Sequence, residues 1–253
     1  MLVAGRRLVA GMVAAALALT ACGGSDGDEA ADDGGGASGA ETTQVQATGP
    51  EQAEGVSLVA QAKGPQVAVF GAQDDPQPAQ TLPNPNENGA PLVFLVKEQA
   101  GDWLNVYLPV RPNGSTGWIK AADVNVASNP FRMEIQLSAH RLTVHKQEEV
   151  VLDEPIGVGT AEAPTPGGTY YIKELLQPPD PDGAYGPYAY GLSGYSNVLK
   201  DFAGGDGVIG VHGTNEPDAI GTDVSHGCIR LRNEAISKLA PILPLGTPVT
   251  IVA

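Results

Sequence analysis

Gly207-Val208-Ile209-Gly210-Val211-His212-Gly213-Thr214-Asn215, then a short polar loop, then Ser225-His226-Gly227-Cys228-Ile229-Arg230-Leu231-Arg232-Asn233, is the stretch from which the rest of the chain can be read. Residues 208–211 form a short apolar run bounded by glycines, which predicts a buried strand ending at His212. Residues 228–231 predict a second strand. Asn233 predicts a helix N-cap, with Ile236, Leu239 and Ala240 on the apolar face. Pro241 and Pro244 close that helix, and residues 248–252 return as a final strand. His212 and Cys228 are then expected to meet across a sheet or at neighbouring strand ends.

That pairing has a chemical reason. A free thiol is only a few per cent thiolate at neutral pH. An adjacent imidazole takes its proton, and the imidazolium then steadies the thiolate, provided a fixed acceptor holds the other ring nitrogen. Gly227 leaves room for a substrate to approach the backbone. The N–H groups of Gly227 and Cys228 are candidate oxyanion donors.

Outward from this core, Phe131-Arg132-Met133-Glu134-Ile135-Gln136-Leu137 and Arg141-Leu142-Thr143-Val144-His145 alternate as half-buried strands joined by a turn at residues 138–140. His140 and His145 read as surface or edge residues. Residues 149–152 and 156–158 add strand candidates. Ala163-Pro164-Thr165-Pro166-Gly167-Gly168-Thr169-Tyr170-Tyr171-Ile172 reads as a sharp turn into a strand. Between residues 178 and 195 lies a segment dense in Pro, Gly, Asp and Tyr, expected to be a loop. Its tyrosines Tyr185, Tyr188, Tyr190 and Tyr195 are candidates for a lid over a substrate.

Upstream, residues 56–127 carry short β-like runs at 66–70, 92–96 and 103–108. A Pro- and Asn-rich loop (76–91) and a turn at Arg111-Pro112-Asn113-Gly114 interrupt them. The pattern Asp102-Trp103-Leu104-Asn105-Val106 followed by Gly117-Trp118-Ile119 resembles small bacterial SH3-like barrels. Trp103 and Trp118 are expected in its core.

Composition agrees with a mainly β protein: of 253 residues, 33 are glycine and 21 proline, and these punctuate short strands. The formal charge of −15 excludes a nucleic-acid partner that binds through clustered Lys and Arg. Residues 1–21 have the anatomy of a signal peptide: Arg6-Arg7, then an apolar run too short to span a membrane comfortably. They lead into Leu19-Thr20-Ala21-Cys22, which resembles the lipobox of bacterial lipoproteins and implies lipid on Cys22. Residues 22–55 then read as a flexible acidic, Gly-rich tether of roughly 30 Å reach. Each of the two cysteines thus has a local role, and no disulfide is expected.

The motifs His212-Gly213-Thr214, Ser225-His226-Gly227-Cys228-Ile229-Arg230 with Asn233, and Thr165-Pro166-Gly168-Tyr170-Ile172 closely resemble the L,D-transpeptidase (YkuD-type) catalytic domain. The resemblance covers residues 130–253. It implies a β-rich fold with one short C-terminal helix, Cys228 as nucleophile and His212 as proton carrier. Gly213 would orient the imidazole through its carbonyl, while Ser225 and His226 shape the site and Arg230 sits beside the donor groove. The implied partners are peptidoglycan stem peptides, cross-linked 3→3 with release of D-Ala, at a lipid-anchored location facing the cell wall and with no cofactor. The same site would serve an L,D-carboxypeptidase or attach protein to the wall, and a non-catalytic wall-binding lipoprotein is the alternative of another class. A metal site built from His212, His226 and Cys228 lacks a fourth ligand and zinc-like spacing. The order of cysteine and histidine is opposite to that of papain-like peptidases.

Overall fold

The computed structural model describes residues 55–200 and 206–253. The expected signal peptide, Cys22 and the acidic tether lie outside them. The protein is mainly β, with one short α-helix among the described residues.

Among the described residues the N-terminal part has seven strands: β1 (Ser57–Ala62), β2 (Gln66–Val69), β3 (Gln80–Pro83), β4 (Val93–Ala100), β5 (Trp103–Tyr107), β6 (Thr116–Lys120) and β7 (Val124–Asn129). Five form an antiparallel sheet in the order β6-β5-β4-β1-β7, and β2 and β3 make a separate hairpin. Alternation places Leu104 and Val106 inward, where they pack with Phe94 and Ile119. Trp103 and Trp118 fall on the opposite face and are only half-buried, contrary to expectation. Trp103 meets Phe70 edge to face, with the Lys120 ammonium over both rings. Strand β2 falls in the run expected at 66–70, whereas its partner β3 uses residues read from sequence as part of the 76–91 loop.

The remainder contains β8 (Phe131–Gln136), β9 (Arg141–Lys146), β10 (Glu149–Pro155), β11 (Val158–Gly159), β12 (Gly168–Leu176), β13 (Ala189–Tyr195), β14 (Val208–His212), β15 (Asp223–Ser225), β16 (Ile229–Arg230), α1 (Asn233–Leu239) and β17 (Pro248–Val252). Eight strands make one sheet in the order β10-β9-β8-β17-β12-β13-β14-β16. The pairs β8–β17 and β14–β16 are parallel. The last strand therefore lies in mid-sheet, between β8 and β12. Met133, Ile135, Leu142, Val144, Ile172 and Ile251 face one core, which α1 covers through Ala235, Ile236 and Leu239. Each aliphatic side chain so buried contributes about 1.5–3 kcal/mol relative to exposure. That is enough for seven residues of weak intrinsic helicity to hold their place.

The two sheets are not independent. Val59, Val93 and Leu95 from the first share a cluster with Tyr171 of the second. Gly246 (φ +85°) approaches so closely that a Cβ there would lie 2.3 Å from Val59 Cγ1. Asn129 donates to the Thr247 hydroxyl at 3.0 Å in a buried position. Strand β4 is apolar on both faces over residues 93–96, and the second face is covered here.

Candidate active site

Strand β14 ends at His212 and pairs in parallel with β16, matching Val211 to Ile229 and His212 to Arg230. Cys228 immediately precedes β16, so the two residues arrive from neighbouring strands, as the sequence predicts. Gly210 shares a strand face with His212, two residues away. A Cβ at Gly210 would lie 3.7 Å from His212 Cδ2 and 3.9 Å from Cys228 Sγ. Ring and sulfur thus both border the side-chain position that Gly210 leaves empty. The Gly210 N–H also donates to Sγ at 3.4 Å. Sequence reading missed this residue, although a glycine two positions before a candidate base in an apolar strand is a usable signal. Gly210→Ala is expected to lower the rate of Cys228 acylation about tenfold to a hundredfold, because its methyl group would fill the gap at Gly210, touching both ring and sulfur and pressing on the Tyr190 carbonyl. Burst-phase mass spectrometry with an acylating substrate or β-lactam measures this; a rate within twofold of native would show the gap to be unimportant.

His212 is buried, and its Nδ1 lies 2.6 Å from the Gly213 carbonyl oxygen. A carbonyl only accepts, so Nδ1 carries the proton and Nε2 is left as the base. Burial holds the imidazole down to about 4, with the Gly213 carbonyl opposing and the Arg230 charge adding to the shift. Burial likewise pushes the Cys228 thiol up, against the Gly210 N–H and Arg230, which favour the thiolate. The resting pair at neutral pH is therefore a neutral thiol and a neutral imidazole. A resting thiolate–imidazolium pair is disfavoured by desolvation of both charges.

The nucleophile turn is self-braced. Ser225 Oγ donates to the Cys228 carbonyl at 2.6 Å and accepts the Gly227 N–H at 3.0 Å. Gly227 has φ +115°, a conformation that L side chains rarely adopt. Of the two expected oxyanion donors, Gly227 is thus committed to Ser225. His226 is exposed and borders the same small cleft as Gly227 and Cys228. Arg230 Nη1 donates to Glu216 Oε2 at 2.5 Å, and its buried Nε has no hydrogen-bond partner among the described residues. Asn233 is not the N-cap; Arg232 is. Its Oδ1 instead accepts the Thr214 N–H at 2.8 Å, tying the loop after His212 to the helix.

The expected lid divides. Residues 189–195 are strand β13 rather than loop. Tyr190 is fully buried in the core and Tyr195 is 7% exposed, so neither is a lid residue. Tyr188 is partly buried and packs against the same core. Only Tyr185 reaches the site, its ring 4.8 Å from that of His212. Gly186 (φ +64°) holds it there by packing on Gly213 and Asn233, where a Cβ would lie 2.4 Å from Asn233 Oδ1. His140 and His145 lie on β9 or its turn, paired with Asp223 and Glu134 respectively.

This arrangement defines a cysteine–histidine site on a β-sheet edge. Residues 130–251 match the YkuD L,D-transpeptidase catalytic domain. The YkuD protein of Bacillus licheniformis is 35% identical over 122 residues, which are 48% of this chain and 66% of that one. The YkuD protein of Bacillus subtilis (strain 168) is 36% identical over 122 residues, with the same coverage. The matched stretch thus spans slightly under two thirds of these relatives' length. Among solved structures, an L,D-transpeptidase from Mycobacterium smegmatis aligns with a TM-score of 0.41 and 17% identity, covering 65% of this chain and 92% of that chain. Over residues 130–251, just under half of the chain, the protein is thus similar to the YkuD-type L,D-transpeptidase catalytic-domain family.

Proposed function

We propose that the protein is a cysteine-dependent peptidoglycan L,D-transpeptidase that forms 3→3 cross-links. The observation that carries this reading is that Cys228 Sγ and the His212 ring both lie within van der Waals reach of the same side-chain position, that of Gly210. In the first half-reaction Sγ attacks the carbonyl carbon of the third residue of a tetrapeptide stem. A C–S bond forms as the thiol proton passes to His212 Nε2. The carbonyl oxygen becomes an oxyanion, for which the Cys228 N–H is the donor that the Ser225 turn does not use. The C–N bond to D-Ala then breaks, and His212 returns the proton to the leaving amine. In the second half the side-chain amine of a neighbouring stem attacks the thioester and gives its proton to His212. Collapse of that adduct breaks the C–S bond and regenerates the thiol. Because both groups rest neutral, proton transfer accompanies attack in this scheme.

Incubating the protein with purified disaccharide-tetrapeptides tests the proposal. The expected products are 3→3 dimers and free D-Ala, with a β-lactam mass adduct on the Cys228 peptide. D-Ala without dimers would replace cross-linking by L,D-carboxypeptidase action. Absence of both products and of the adduct would remove the catalytic reading.

Export and lipid attachment at Cys22 belong to the same proposal, supported by the basic-apolar leader and Leu19-Thr20-Ala21-Cys22. Cells fed radiolabelled palmitate are expected to label the native chain and not Cys22→Ala; equal labelling of both would count against the anchor. The reading of residues 56–127 as an SH3-like barrel draws support from the compact antiparallel sheet and hairpin in that segment.

A further inference from the structure

The N-terminal part touches the second sheet at the segment that walls the Cys228 cleft. Arg111 and Asn113 lie in the loop between β5 and β6. Arg111 Nη1 donates to the Ser196 carbonyl at 2.8 Å, and Nη2 donates to the carbonyls of Asp206 at 2.8 Å and Leu199 at 3.3 Å. The guanidinium carbon sits 4.8 Å from the centre of the Tyr195 ring. Asn113 Nδ2 donates to the Tyr195 carbonyl at 2.7 Å, and Asn113 Oδ1 accepts the Tyr195 N–H at 2.9 Å. The Tyr195 hydroxyl donates back to the Pro109 carbonyl at 2.6 Å.

The segment gripped in this way is part of the cleft. Ser196, Leu199 and Gly207 border the same cavity as His226, Gly227 and Cys228. Ser196 Oγ accepts the N–H groups of Val198 and Leu199, and the Ser196 N–H donates to the Gly207 carbonyl. The Ser196, Leu199 and Asp206 carbonyls find their donors in Arg111. A guanidinium offers five N–H donors in a fixed fork and serves three carbonyls at once, where an ammonium is only a point charge. Gly207 (φ +76°) completes the fit, since a Cβ there would lie 2.2 Å from the Leu199 carbonyl oxygen and 3.2 Å from Arg111 Nη2.

We propose that Arg111 and Asn113 are positioning residues for the nucleophile. They fix the wall formed by residues 196–199 and 206–207, so that the N-terminal part completes the active-site cleft. This rests on the acyl-transfer reading of Cys228. A second contact between the two parts supplies a control. Asn86 and Asn88 each donate to Glu174 Oε2, at 2.9 and 3.0 Å, and neither these two residues nor Glu174 line the cleft.

The test uses the full chain with Arg111→Ala, Asn113→Ala and the double variant Asn86→Ala/Asn88→Ala. Three quantities are measured: the rate of Cys228 alkylation by iodoacetamide, KM and kcat for D-Ala release, and the thermal midpoint. Arg111→Ala is expected to raise the alkylation rate and KM about tenfold each while kcat changes less than about threefold. Asn113→Ala moves both in the same direction and keeps the test decisive if Arg111→Ala does not fold. The double variant keeps native alkylation and KM even where its midpoint falls. Native alkylation and KM in both Arg111→Ala and Asn113→Ala, or equal changes in the double variant, would overturn the proposal. If the native protein turns over no muropeptide, the alkylation rates still decide the positioning question, so that failure is distinguishable from failure of the catalytic reading.

Discussion

Cys228→Ala is expected to reduce both D-Ala release and 3→3 dimer formation at least about a thousandfold, to the level of the buffer control. No other described residue can replace the sulfur: Cys228 is the free thiol of the fold. Ser225 lies three residues away, but its hydroxyl is committed to the Cys228 carbonyl and the Gly227 N–H. The methyl side chain also removes the acceptor of the Gly210 N–H, a loss that scarcely affects folding because thiol sulfur is a weak acceptor. The thermal midpoint should therefore stay within a few degrees of native. Dimer formation by the variant at the native rate would sink the cysteine mechanism outright.

His212→Gln is expected to have the second-largest effect, a loss of about a hundredfold to ten-thousandfold in acylation, the usual contribution of a positioned base. It carries a second, independent signature in stability. The folded imidazole titrates at about 4, below its ordinary 6.5. Between those values the unfolded chain takes up a proton that the folded chain refuses, so stability falls as pH drops from about 6.5 to about 4. Below that window both states are protonated and this loss stops growing. Its full size is about 3 kcal/mol, from the spacing of the two values. Glutamine has no such titration. Denaturant unfolding at pH 7 and pH 4.5 should therefore show a smaller acid loss in His212→Gln than in the native protein. Asp153, whose carboxyl is held below its usual range first by its hydrogen bond to Arg141, adds an acid loss of the same sign to both. Equal losses in the two proteins would show that His212 is not buried neutral.

The pair Cys228 and His212 was legible because everything that sets it is local. An apolar run ending at a histidine and a Ser-His-Gly-Cys turn each carry their own geometry. Strand β13 was not legible, for a reason visible in its packing. Gly191 and Gly194 break the apolar pattern and mimic a loop. They are glycines because Glu174 and Tyr170 occupy their side-chain space, where a Cβ would lie 2.4 Å from Glu174 Oε1 and from Tyr170 Cδ1. Asn233 misled in the opposite way. It is a good cap by type, yet the preceding Arg232 takes that position and frees the amide for Thr214. The contacts made by Arg111 and Asn113 join residues more than eighty positions apart, and no local pattern announces them.

The position of β17 governs when this chemistry can exist. Pro248–Val252 is made after every other strand, yet it alone joins β8 to β12. A chain emerging from its N-terminal end holds two half-sheets with unpaired inner edges until those residues arrive. The half that carries His212 and Cys228 cannot settle on the shared core before then. The setting of Cys228 and His212 is thus completed only when this strand docks, and β17 acts as the clasp that closes the sheet.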